Sequence, residues 1–245
     1  MIRHLLVIGA QRCGTTYLSS LLDEHPEITM ARPSRPEPKV FCSAEASGRG
    51  AGWYRETYFR HADTERLLGD KSTSYLECDG AASRAAAVLG EAHVVAVLRD
   101  PVERAVSNWR FSTQHGLETR PLEAALRDNL AGPAPWDPGM SSVSPFAYLE
   151  RGRYMDHLPA WTAAFPKTTH VVFLRELIED DAVLECLWER LDVDPGAAPR
   201  RSRDVVNEND GDPPALSSEL SGTLRSYFEA SDRALSAHVG RPLPW

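Results

Sequence analysis

Three apolar runs constrain the fold of this chain more than any other feature: His4-Leu-Leu-Val-Ile-Gly9, residues 93–101 (HVVAVLRDP) and residues 170–177 (HVVFLREL). Each is short, rich in β-branched residues and free of polar alternation, as strands buried on both faces of a parallel sheet are. The segments between them carry helical spacing. Positions 17, 18, 21 and 22 are apolar within Thr15 to Glu24. Helices are also expected over 53–59, 83–89, from Pro101 to about Ser112, and over 121–130, 153–164, 181–191 and 215–239. Pro101 suits the first turn of its helix, and Gly240 the end of the last one. Residues 67–76 read as a short strand or turn and then a helix start. Residues 31–52, 131–146 and 194–214 read as loops, the second long enough for a lid. Strands alternating with helices predict an α/β fold, a three-layer sandwich around a mainly parallel sheet, with residues 1–245 as a single domain.

The turn after the first run is the chemically informative one. Gly9 and Gly14 have the G-x-x-x-x-G spacing of a phosphate-binding loop, and strand, loop and helix come in the right order. Backbone N–H groups in such a loop, backed by a helix N-terminus, hold an anion. A nucleotide-triphosphate loop continues with Lys for the outer phosphates and Ser/Thr for magnesium. Here the chain continues with Thr15 and Thr16, and the cation, Arg12, lies inside the loop. No strand ends in a clear magnesium-binding carboxylate; Asp100 is the nearest, directly after Arg99. This pattern suits a metal-free anion carrying a singly charged transferable group, such as a sulfuryl group.

A net charge of −8 argues against bulk binding to nucleic acid or an anionic membrane, so any cationic site is local. Cys13, Cys42, Cys78 and Cys186 are widely spaced without a C-x-x-C pair, which argues against zinc or a disulfide framework and fits a reducing cytoplasm. No signal peptide is read at the N-terminus, and Leu5 to Ala10 is too short to span a bilayer. Of the 27 basic residues only Lys39, Lys71 and Lys167 are lysine, a bias expected of a GC-rich, bacterial genome.

The loop resembles the 5′-phosphosulfate loop of sulfotransferases that use 3′-phosphoadenosine 5′-phosphosulfate (PAPS), and most of all the branch with heparan sulfate and nodulation-factor enzymes. The family pattern is G-x-x-K-x-G-T-x-x-L followed by a helix ending near HPEI. Gly9, Gly14, Thr15, Leu18 and His25-Pro26-Glu27-Ile28 match it, with Arg12 where the family has Lys. Residues 97–109 (VLRDPVERAVSNW) resemble the 3′-phosphate segment, which implies that Arg99 and Ser107 bind that phosphate. Arg99 leaves the carboxyl end of a strand, where open α/β sheets bind ligands, and Ser107 lies about two helical turns further on. Residues 37–41 (EPKVF) resemble K-E-P-x-F-F, with Pro36 replacing the Lys, which makes Glu37 the implied catalytic base. Residues 69–76 (GDKSTSYL) resemble G-E-K-[ST]-P-x-Y, which places Lys71 by the reacting centre. Residues 151–166 and 240–245 match framework segments.

The resemblance therefore implies a sulfotransferase acting on a hydroxyl, with adenosine 3′,5′-bisphosphate as product; the acidic chain with few loop arginines points to a small-molecule or glycan acceptor, in secondary metabolism, over a long polyanion. Its donor contacts are Arg12, Cys13 through its N–H, Gly14, Thr15, Thr16, Arg99 and Ser107; its catalytic residues are Glu37, Lys71 and Arg12. Three other possibilities stand beside these roles. Glu37 pairs with Arg32 or Arg35 in a solvated loop, Lys71 is solvated, or His61 or His115 is the base. The competing function classes are a small-molecule kinase or other phosphate-loop NTPase, which needs magnesium, and a nucleotide-binding protein without turnover. No metal, nucleic-acid partner or membrane span is expected. Nothing in the sequence specifies an oligomeric state.

Overall fold

The computed structural model describes residues 3–137, 144–199 and 215–245. The described residues divide into two compact units, one of residues 3–98 and 158–199, the other of residues 99–137, 144–157 and 215–245.

The first unit is built on a parallel five-stranded sheet. Its strands are β1 (Arg3–Gly9), β2 (Ile28–Met30), β3 (Leu67–Lys71), β4 (Ala92–Leu98) and β5 (Thr169–Phe173), in the order β2-β3-β1-β4-β5. The α/β expectation with a parallel sheet holds. β1 and β4 are buried along nearly their whole length, which is why they read as unbroken apolar runs. The chain runs from β1 out to β2 and β3 on one side, then crosses to β4 on the other. The carboxyl end of β1 therefore lies where the strand order reverses, the crevice in which such sheets bind ligands.

Helix α1 (Thr15–Glu24) buries Leu18, Leu21 and Leu22 against Leu5, Val7, Val95, Val97 and Trp188. The core-facing leucines sit at i, i+3 and i+4, so one face carries the packing. His25 closes the helix: its Nδ1 accepts the Glu27 N–H at 3.2 Å, so Nε2 carries the proton and donates to the Asp194 carbonyl at 3.1 Å. The HPEI stretch is thus a structural turn.

Several expectations are corrected. Residues 31–52 are not a plain loop: α2 (Ala44–Gly48) forms where Ser43 accepts the Ala46 N–H, and α3 (Gly50–Tyr58) starts three residues before the expected 53–59. β2 was missed, because three residues carry no readable period. α4 (Ala81–Leu89) is as expected apart from its first turn. The run 170–177 ends as a strand at Phe173, and α8 (Leu174–Glu179) begins there; α9 (Asp181–Arg190) follows. In place of the helix expected over 153–164 there is a 3₁₀ turn at Tyr154–Asp156 and then α7 (Leu158–Ala164), which has Pro159 in its first turn.

The second unit packs α5 (Pro101–Gln114), α6 (Leu122–Asn129) and α10 (Ser218–Val239) around Val102, Ala105, Leu126, Tyr148, Leu224 and Phe228. Gly240 ends α10 with φ 72°, as its position implied. The 131–146 loop falls partly, and 194–214 mostly, outside the described residues.

Candidate functional site

In the first unit, β1 ends at Gly9 and α1 starts at Thr15, so the loop spans residues 9–14. Arg12 has φ 67° and Gly14 φ 78°, both left-handed. Gly14 is required there: an added Cβ would lie 2.3 Å from Cδ1 of Leu174. Arg12 is a non-glycine residue in a region that costs on the order of 1–3 kcal/mol, the kind of outlier that clusters at binding sites. The Ala10 N–H is given to the Val97 carbonyl at 2.8 Å, and the Cys13 N–H to the Ala10 carbonyl at 3.2 Å. The Cys13 N–H is therefore already engaged inside the loop, and the thiol is buried beside the Gln11 carbonyl. Thr15 is buried and Thr16 half-buried at the start of α1, where N–H groups have no partner within the helix.

The segment after β3 lies against this loop. An added Cβ on Gly9 would come within 3.0 Å of both the Thr73 carbonyl oxygen and the Leu76 Cβ. Leu76 N–H reaches the Ile8 carbonyl at 2.8 Å, and Gln11 donates to Glu77 at 2.7 Å. Thr73, Leu76 and Glu77 thus hold the loop from the β3 side.

That segment also carries the carboxylate. Glu37 Oε1 pairs with Lys71 Nζ at 3.0 Å, and both side chains are largely buried. Glu37 Oε2 accepts from the Thr73 N–H at 3.0 Å and lies 3.1 Å from its hydroxyl. Neither arginine weighed for Glu37 takes that place: Arg32 goes to Asp23 at 2.9 Å, and no Arg35–Glu37 contact is seen. Lys71 is not a solvated lysine. Three donors act on a carboxylate with about four lone-pair positions, leaving one acceptor position for a further hydroxyl. The two histidines considered as bases are engaged elsewhere. His61 Nε2 lies 3.1 Å from both the Thr29 hydroxyl and the Met30 carbonyl; His115 is exposed, its ring tilted against Phe111, with Nδ1 2.8 Å from the Phe111 carbonyl.

In the second unit, Arg99 precedes the start of α5. The Tyr154 hydroxyl donates to its carbonyl at 2.7 Å, so the framework segment 151–166 fixes the backbone at this position. The Arg99 guanidinium rests on Glu103, one turn into α5, at 3.0 Å. Ser107 is buried on the same helix. Asp100 caps α5 by accepting the Val102 N–H at 2.9 Å and also takes both ends of the Arg225 guanidinium, at 2.9 and 2.5 Å. Its lone pairs are therefore engaged in structural contacts. Trp245 donates to Asp232 at 3.1 Å, so the terminal segment is framework in this unit. Among the described residues no group of three or more His, Cys, Asp or Glu is arranged to hold a metal ion, and no helix is long and apolar enough to cross a membrane.

Motif resemblance singled out Glu37 and Lys71, which the structure pairs, but not Thr73, which bonds Glu37. It also missed Asp70, Ser72 and Tyr75, which lie in the quoted GDKSTSYL stretch. Nothing in a linear string separates an inward from an outward hydroxyl there.

The residues make a tight turn of the anion-binding kind, since glycines stand where an added Cβ would clash and Arg12 lies within the loop. The sulfotransferase domain model matches residues 3–181, and the chain belongs to the sulfotransferase family. It is 31% identical over 166 residues to the bifunctional heparan sulfate N-deacetylase/N-sulfotransferase 3 of Mus musculus, covering 66% of this chain and 19% of that protein. It is 34% identical over 113 residues to the membrane-associated sulfotransferase kil1 of Dictyostelium discoideum, covering 45% of this chain and 23% of that one. The chain thus spans about a fifth of the length of the curated relatives it matches. A sulfotransferase from Alicyclobacillus acidocaldarius has the same fold, with TM-score 0.76 at 22% identity over 99% of this chain and 98% of that one. A sulfotransferase domain from the curacin biosynthetic pathway superposes with TM-score 0.54 at 15% identity, covering 100% and 99% of the two chains.

Proposed function

We propose that residues 1–245 act as one sulfotransferase domain that transfers a sulfuryl group from PAPS to a hydroxyl, without a metal, and releases adenosine 3′,5′-bisphosphate. The observation that carries this reading is the Glu37–Lys71–Thr73 cluster set against the glycine loop through Gly9. Bound PAPS supplies the activated sulfuryl group and a stable leaving group. Arg12, the Gly14 turn, the hydroxyls of Thr15 and Thr16 and the N-terminus of α1 hold the 5′-phosphosulfate. Cys13 contributes backbone to the same turn. Arg99, released from Glu103, and Ser107 hold the 3′-phosphate; the planar guanidinium suits it. Glu37 accepts the proton of the acceptor hydroxyl at its remaining lone pair. Lys71 and Arg12 stabilise the negative charge on the departing bridging oxygen.

The acceptor we favour is a small hydroxylated molecule of secondary metabolism, such as a glycolipid or phenol. The relatives named for heparan sulfate bring a glycan into consideration, but a chain of net charge −8 is poorly matched to a long polyanion.

Thermal shift separates the readings. Adenosine 3′,5′-bisphosphate at 100 times its Kd should add about 2.7 kcal/mol of stability without metal. AMP should add much less. Equal stabilisation by AMP would remove the 3′-phosphate from Arg99 and Ser107. Stabilisation by ATP with magnesium instead would favour a kinase.

A further inference from the structure

Beneath the Glu37–Lys71 pair lies a buried carboxylate that the proposed chemistry does not use. Asp70, the residue before Lys71 on β3, is completely buried. Its Oδ2 accepts from the hydroxyls of Tyr54 at 2.9 Å and Tyr75 at 2.8 Å, and its Oδ1 from that of Ser72 at 2.8 Å. A hydroxyl has one proton to give. Ser72 and Tyr75 have given theirs to Asp70, so only their lone pairs face the other way. Those lone pairs accept backbone N–H groups: Lys39 to Ser72 at 2.9 Å, and Phe41 to Tyr75 at 3.4 Å. Lys39 and Phe41 lie two and four residues after Glu37.

We propose that Asp70 is a positioning residue for Glu37: as an acceptor-only carboxylate it turns the Ser72 and Tyr75 protons inward, so that both hydroxyls hold the 37–41 segment and keep Glu37 against Lys71 and Thr73. The naming of Glu37 as base rests on the sulfotransferase reading; the hydrogen-bond chain does not. A protonated or amidated Asp70 brings a proton of its own into one of the three contacts. Where that contact is Ser72 or Tyr75, the displaced hydroxyl turns its proton toward the Lys39 or Phe41 N–H, donor against donor, and the segment loosens.

The arrangement is also sensitive to pH. Burial pushes the Asp70 carboxyl up to about 6; the hydroxyls of Ser72, Tyr75 and Tyr54 oppose the rise, and the Glu37 charge adds to it. The other groups facing Asp70 are Tyr54 and Tyr58 of α3 and Tyr75, all pushed above their ordinary values by burial and by Asp70 itself, so they remain donors throughout the neutral range. Lys71, next in the chain, is committed to Glu37.

The test uses the full chain with Asp70→Asn, which keeps size and removes charge, and Ser72→Ala, which keeps the charge and removes one relay. Hydrogen exchange at the Lys39 and Phe41 amides, corrected for intrinsic rate, is followed from pH 5 to 8 alongside single-turnover transfer from PAPS to a screened phenol acceptor and bisphosphate affinity. In the wild type, protection at Lys39 should fall as pH drops through about 6. In Asp70→Asn it should be low and flat with pH, and transfer should slow by on the order of 10²-fold, the cost of misplacing a catalytic group by about 1 Å. Bisphosphate affinity and the denaturation midpoint at pH 8 should hold, since the variant also removes a buried charge. Ser72→Ala should slow transfer in the same direction. Wild-type protection and rate in Asp70→Asn would overturn the proposal, as would a loss of rate that merely tracks global unfolding. The exchange arm needs no PAPS. Protection lost in Asp70→Asn while the wild type shows no transfer would count against the PAPS reading and for the positioning chain.

Discussion

Arg12 is the residue whose conformation and chemistry conflict most openly: a bulky side chain held at φ 67° in a loop otherwise turned by glycine. If it grips the phosphosulfate, Arg12→Ala should weaken bisphosphate binding and slow transfer together. Arg12→Lys should be milder yet not silent, because an ammonium is a point charge where the loop holds a planar fork. Lys71→Arg should be worse than Arg12→Lys, since Lys71 meets Glu37 at 3.0 Å in a largely buried position with little room for a larger head group. Single-turnover rates and bisphosphate titrations on these variants check the ranking; wild-type behaviour in Arg12→Ala would leave the anion to the backbone and the threonines. Glu37→Gln is the complementary experiment. It should slow transfer by on the order of 10²–10⁴-fold, the usual contribution of a general base, with cofactor affinity nearly intact. An unchanged rate would move the base elsewhere.

At the scale of elements, the start of α1 depends on α8. Gly14 is in the left-handed region, and Leu174 occupies the space a Cβ would need. Gly14→Ala should cost about 1–2 kcal/mol for the backbone alone, and more for displacing Leu174. Adding Leu174→Ala should recover the steric part and leave the backbone part, a pattern that urea midpoints of the two single variants and the double variant would reveal. Simple additivity would mean the clash is relieved without cost. The strands and helices that bury a full face, such as β1, β4 and α1, were legible because burial dictates their composition. β2 was not, because three residues have no period. The boundary at Phe173 was not, because Val172 and Leu177 both face apolar surroundings, so strand and helix read alike.

For the whole molecule, the clearest expectation is the response to acid. His4, His93 and His170 are buried or half-buried near the amino ends of β1, β4 and β5, each with one ring nitrogen unpartnered among the described residues. Burial pushes His4 and His170 down to about 4 and lowers His93 as well. The native state therefore holds them neutral where the unfolded chain protonates, and stability falls as pH drops from about 6.5 toward 4. Each such proton contributes a slope of about 1.4 kcal/mol per pH unit within that window. Asp70 acts oppositely, since its raised value favours the native state as pH falls from 6 toward 4, but one carboxyl is outweighed by the histidines. Denaturant melts from pH 8 to 5 should show net loss on acidification, reduced in a His170→Gln variant. A flat profile would mean that these rings gain partners on protonation.

The sequence alone determined the α/β class, the parallel sheet, the phosphate-type turn and the resemblance that singled out Glu37 and Lys71. The class, the sheet and the turn are properties of composition and spacing, imposed locally by burial on both faces of a strand and by the backbone freedom of glycine; Glu37 and Lys71 came only from the likeness to a family motif. Tertiary structure decided what the quoted motifs do to one another. Thr73 and Lys71 come from the β3 side to hold Glu37, Leu174 comes from beyond β5 to fill the space beside Gly14, and Asp100 is claimed by Arg225 from a helix more than a hundred residues later. Asp70 reads in the string as one more polar residue before a lysine. Its role depends on which way three hydroxyl protons point, and that direction is set only when residues 37–41, 54 and 70–75 are brought together in three dimensions.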